Sequence, residues 1–129
     1  MGQTRKQKVD AAIDSINAFY RLGRQIPRKA AHKDTYDQGT IEEAARKHGL
    51  NPDTARKARQ FADPTVGYTP AEVRELCRRI AAVQRGQDNT RAIIGRTHVI
   101  RLLSVPRRWR RGIQDAAITN GWSLAELEA

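Results

Sequence analysis

Seven polar side chains follow one another along a ten-residue stretch: Asn51, Asp53, Thr54, Arg56, Lys57, Arg59 and Gln60. Their chemistry is that of base-pair readout. Arg and Lys pair with guanine edges or neutralise phosphate, while Asn and Gln pair with adenine. Asp53 suits a helix N-terminus electrostatically and could also accept from cytosine. A second set is purely cationic. Arg107, Arg108, Arg110 and Arg111 crowd the first turns of a helix opened by Pro106. Each opposes the helix dipole by roughly 0.3 to 1 kcal/mol, so an external anion is the simplest reason to keep all four there. The alternative is that they extend into water, where salt screens the cost. His98 has two readings as well, a donor to phosphate or a packing group at a helix start, and the sequence leaves both open.

Chemistry of other kinds finds no footing. His32, His48 and His98 lie far apart and do not make a metal-ligand spacing. No glycine-rich phosphate loop and no serine nucleophile elbow occurs. Glu42-Glu43 and Glu126-Glu128 read as first-turn charges and caps. Cys77 shares an apolar stripe with Val73 and Ile80 and reads as core. Trp109 and Trp122 could stack on bases, but in a chain with 5% aromatic residues they read first as core anchors. The expectation is therefore no enzyme activity, no cofactor and no metal.

The elements that must position these residues are helical throughout. Val9, Ala12, Ile13, Ile16, Phe19 and Tyr20 recur at steps of three and four, predicting a helix that ends near Gly23 or Ile26. Residues 1–7 read as a flexible basic arm and residues 28–38 as a loop. The stretch Thr40 to Arg59, TIEEAARKHGLNPDTARKAR, has helix-turn-helix spacing, and the motif is placed over residues 40–61. Thr40 and Glu43 make a capping box. Ala45 is small where two helices would touch, and Gly49 sits at the turn, where positive φ is easily reached. Asn51 caps the second helix and Pro52 opens it. Leu50, Ala55 and Ala58 then pack inward and leave the seven polar residues projecting. Thr69-Pro70 with Glu72, Pro106, and Ser123 with Glu126 start further helices, whereas Gly86 and Asn120-Gly121 stop them. The fold expected is all-α, a small multi-helix domain of six or seven helices over residues 8–129.

Composition bounds the partners. The chain has 129 residues and a net charge of +10, from 18 Arg and 6 Lys against 14 acidic residues. Every basic residue after position 64 is Arg, and the segment from Arg74 to Arg111 holds 11 Arg against only Glu75 and Asp88. Arg offers a planar fork to phosphate that Lys does not. Together with a sequence pI near 10.6, this is the footprint of a nucleic-acid binder. Arg96 and Arg101 belong to that field. No apolar run approaches the roughly 20 residues of a membrane span, and no secretory signal peptide is visible, so the expected setting is cytoplasmic, associated with the nucleoid.

The segment from Ile94 to Glu128, IGRTHVIRLLSVPRRWRRGIQDAAITNGWSLAELE, resembles the end of a bacterial N-terminal domain that precedes the nuclease domain in YhcG-type PD-(D/E)XK proteins. Thr97-His98, Arg101-Leu102-Leu103 and Asn120-Gly121-Trp122-Ser123 carry the likeness, supported upstream by Gly39-Thr40-Ile41 and Arg56 to Phe61. The central DNA-binding region of ParB-type partition proteins shows a similar order of elements, with weaker likeness. Both resemblances imply a DNA-binding module without its family's catalytic part; His98 falls in a recurrent position, and Thr97 and His98 join the candidate DNA contacts. The expected function is double-stranded DNA binding in transcriptional or replicon control, or in targeting a mobile-element system. The alternative is an RNA-binding or protein-adaptor module. A symmetric operator would imply a homodimer, though the sequence shows no heptad or obvious dimer helix, and a separate C-terminal effector domain would be a further partner.

Overall fold

Thr4 starts the first helix by a reciprocal cap. Its hydroxyl accepts from the Gln7 N–H at 3.2 Å, and the Gln7 side chain accepts from the Thr4 N–H at 2.9 Å. In the computed structural model, which describes residues 4–26, 45–46 and 49–128, helix α1 runs Arg5–Gln25. The arm expected over residues 1–7 is thus corrected: from Thr4 onward it is capped helix. Arg5 also anchors it, donating to the carbonyls of Gln84 (2.9 Å) and Arg91 (2.7 Å) and to the Gln87 side chain (3.1 Å).

Five further helices follow among the described residues: α2 Pro52–Ala62, α3 Pro70–Gln84, α4 Arg96–Leu102, α5 Arg107–Asn120 and α6 Leu124–Glu128. No strand occurs among those residues, and the all-α expectation holds. The local start signals act as read. Asn51 accepts from the Asp53 N–H at 2.7 Å. Thr69 with Glu72 and Ser123 with Glu126 each close a capping box. Gly121 ends α5 with φ +60°, where a side chain would be strained. The capping pair Thr40–Glu43, the apolar positions Ile41 and Ala44, and the loop 28–38 lie outside the described residues.

Helix α1 is the central element and packs on α2, α3 and α4, while α3 packs on α5 and α4 on α6. At the α1–α2 crossing a Cβ on Gly23 would stand 1.9 Å from the Ala58 carbonyl oxygen. Only glycine lets the two backbones meet there. Around this crossing Phe61 stacks on Phe19 at 5.8 Å, with Tyr20 and Tyr68 edge-on to it at 5.1 and 5.0 Å. Val73, Leu76, Ile80, Ile94, Val99 and Ile118 complete the same core.

Candidate nucleic-acid interface

The turn before α2 has the geometry that its sequence asks for. Gly49 adopts φ +67°. Its N–H reaches the Arg46 carbonyl at 3.2 Å, and the next N–H, of Leu50, reaches the Ala45 carbonyl at 2.7 Å. These are the paired bonds of a glycine-terminated helix end. Ala45 and Ala55 are buried together with Ile26, and Leu22 and Leu50 pack against them. The structure therefore brings Ala45, Gly49, Leu50 and Ala55 together as expected, while Ala58 joins the main core with Phe61.

With Ala55, Ala58 and Phe61 turned inward, α2 presents its other side. Asn51, Asp53 and Arg56 are exposed, and Thr54, Lys57, Arg59 and Gln60 are half-buried. Asn51 spends its side-chain oxygen on the cap. Arg56 lies 3.5 Å from Asp53, with both side chains well exposed, a surface pair of little energetic weight. That contact can open without cost to the fold.

The arginines of α4 and α5 divide into two kinds. Arg110 is 6% exposed and is committed inward. Its guanidinium donates to the carbonyls of Gly67 (2.8 Å), Val66 (2.9 Å), Val105 (2.9 Å), Leu102 (3.0 Å) and Leu103 (3.4 Å). It also lies 5.3 Å from the Tyr68 ring centroid. The Arg107 guanidinium bonds the Gly67 carbonyl and pairs with Glu72 at 3.1 Å. The expectation of four equivalent phosphate contacts is corrected accordingly, because two of the four clamp α5 onto the 66–67 loop and the end of α4. Arg108 and Arg111 remain exposed, as do Arg96, whose guanidinium sits 5.5 Å over the Phe19 ring, and Thr97. Arg101 pairs with Glu128 at 3.2 Å across half-exposed side chains.

His98 takes the packing role. It is 7% exposed; Nδ1 accepts from the Gly95 N–H at 3.3 Å and Nε2 meets the Trp122 carbonyl at 2.9 Å. The two partners fix a neutral ring protonated at Nε2. Burial lowers its pKa from the usual histidine value, against a smaller opposing pull from the Trp122 carbonyl. Of the two readings of His98, the burial and the two partners favour packing over a phosphate contact. Trp122 is half-buried on the core, but Trp109 is 58% exposed with Arg108 stacked 5.3 Å from its ring. Its expected place in the core is corrected too. Burial pushes the Cys77 thiol up to about 11, which suits packing and not nucleophilic attack.

Two glutamines were not anticipated. Gln84 is fully buried; it donates to the Ala92 and Ile118 carbonyls and accepts from the Ile94 N–H at 2.8 Å. Gln87 donates to the carbonyls of Ile118 and Thr119 at the end of α5. The spacing of Val73, Leu76, Ile80 and Gln84 would have flagged Gln84, since it continues the buried stripe by one more step of four.

A cleft of about 340 Å³ between α3 and α5 is lined by both signs of charge, Glu72, Glu75 and Asp115 against Arg107, Arg110 and Arg111. A groove of about 420 Å³ runs from Gln60, at the end of α2, past Val66 to Pro106 and Arg107. Among the described residues no cluster of His, Cys, Asp and Glu could hold a metal, and no helix is long and apolar enough to cross a membrane. No protein-family model, curated protein or solved structure matches the chain.

Proposed function

We propose that the chain binds double-stranded DNA, with α2 entering the major groove and the exposed arginines of α4 and α5 holding the backbone. The observation that carries this reading is the pairing of the Gly49 turn with α2. The turn and the buried Ala55, Ala58 and Phe61 fix the helix, and its opposite side offers Arg56, Lys57 and Gln60 to base edges. Arg96, Arg101, Arg108 and Arg111 supply the sequence-independent attraction that a net charge of +10 favours. Control of transcription or of a replicon, or targeting of a mobile element, is the role such a module would serve.

Competition among a duplex selected from random sequence, a scrambled duplex and a structured RNA tests the reading. The expected result is preference for the selected duplex. Equal affinity for all three would reduce the chain to a nonspecific polyanion binder, and preference for the RNA would overturn the proposal.

A further inference from the structure

Val66 and Trp109 are the large hydrophobic side chains left exposed among the described residues, at 46% and 58%. Single apolar residues at a surface are ordinary, so exposure of the indole decides nothing alone. Its setting is more specific. Trp109 lies in the first turn of α5, where there is no acidic residue, and its backbone N–H is tied to the Pro106 carbonyl at 2.9 Å. That turn is held rigidly, because Arg107 and Arg110 both spend their guanidinium groups on the carbonyls beneath it. Arg108, by contrast, is exposed and lies 5.3 Å from the Trp109 ring. An exposed indole on a tethered turn, beside an exposed guanidinium, offers apolar area and charge at one point. The groove that begins at Gln60, at the end of α2, reaches Pro106 and Arg107, the residues just before Arg108 in the chain.

We infer that Trp109 is a second DNA contact, packing its indole against a sugar of the duplex while Arg108 takes the adjoining phosphate. The inference rests on the DNA-binding reading above. Charge complementarity selects the occupant: the exposed side chain stacked on the ring is the cation Arg108, and a duplex, whose sugars offer apolar surface between phosphates, satisfies both features at once. The contact requires no rearrangement of the α5 backbone, so the ordering cost is confined to the side chains that touch the duplex.

The test uses the full chain with Trp122→Phe, which leaves Trp109 as the only indole. Labelled-duplex anisotropy reports binding, while Trp109 emission is quenched with acrylamide, an uncharged probe that reads access and not potential. In the complex, quenching should fall to about half or less of its value in the unbound protein. Trp109→Ala in the wild-type background should bind roughly tenfold more weakly at unchanged Tm, and Trp109→Phe should restore most of the loss. This variant also serves if Trp122→Phe does not fold. A duplex bound with Trp109 as accessible as before, or bound equally well by Trp109→Ala, overturns the inference and leaves the DNA-binding reading intact. Failure of the wild-type chain to bind any duplex removes both. If Trp109→Ala instead abolishes self-association seen by sedimentation, the patch belongs to a second copy and the inference fails.

Discussion

Arg110 carries its charge into the interior on carbonyl oxygens. Two of them, from Leu102 and Leu103, close the end of α4, the negative pole of that helix, so the guanidinium caps one helix while belonging to the next. A Lys ammonium has three donors and no planar fork, so Arg110→Lys should cost about 2 kcal/mol and Arg110→Ala about 3 to 5 kcal/mol in urea unfolding. Arg111→Ala, on the exposed side, should stay within about 0.5 kcal/mol. His98 gives a pH signature. Its folded pKa is lowered by burial, so the unfolded chain takes up the proton first as pH falls. The stability its neutral ring contributes is complete above the ordinary histidine value of about 6.5 and is lost as pH drops from there toward the lower folded pKa. Unfolding free energies at pH 8, 6 and 5 should fall more steeply for the wild type than for His98→Gln, whose side chain does not titrate. Parallel slopes would show that His98 carries no linkage.

At the scale of elements, the α1–α2 crossing determines where the reading helix points. Gly23→Ala would drive a Cβ into the Ala58 carbonyl, and helix backbone cannot yield as a side-chain tip can. A loss of about 1 to 3 kcal/mol is expected, with weaker duplex binding because α2 is displaced. Gly112, in the middle of α5, has nothing within 4 Å of an added Cβ, so Gly112→Ala should stabilise by about 0.5 to 1 kcal/mol. Chemical denaturation of the two variants checks both signs. The same contrast explains what the sequence made legible. Caps at Asn51, Thr69 and Ser123 are written within three residues, and the Gly49 turn within five, so they could be read directly. The Thr4–Gln7 box uses the same code, but its basic surroundings read as an arm. Arg110 could not be read at all: Gly67 is 43 residues away from it and Leu102 is only 8, and no local pattern marks one arginine of four as the buried one. Trp109 failed for a related reason, since a rule that large aromatic residues seek the core does not say which edge of α5 the core covers.

Across the whole molecule, the +10 charge is filtered by structure before it can act on a partner. Arg5, Arg107 and Arg110 are consumed by backbone carbonyls, and Arg85 pairs with Asp10 at 2.6 Å and Arg78 with Glu75 at 2.7 Å. The arginines left outside are then the ones to test, in two groups. Arg108 and Arg111 stand for holding. If they grip phosphate, the double Ala variant should weaken selected and scrambled duplexes alike and flatten the slope of log affinity against log salt by about two units. Arg56 and Lys57, on α2, stand for reading. Replacing either with Ala should cost about 1 to 3 kcal/mol on the selected duplex and little on the scrambled one. Arg56 is the sharper probe, because its tie among the described residues is the exposed contact to Asp53, and its loss should leave the fold unchanged. Titrations of all three variants at several salt concentrations separate the two roles. An unchanged slope in the Arg108/Arg111 variant, or equal losses on both duplexes for Arg56→Ala and Lys57→Ala, would show that the arginines outside the core act as one diffuse field and that α2 does not read sequence.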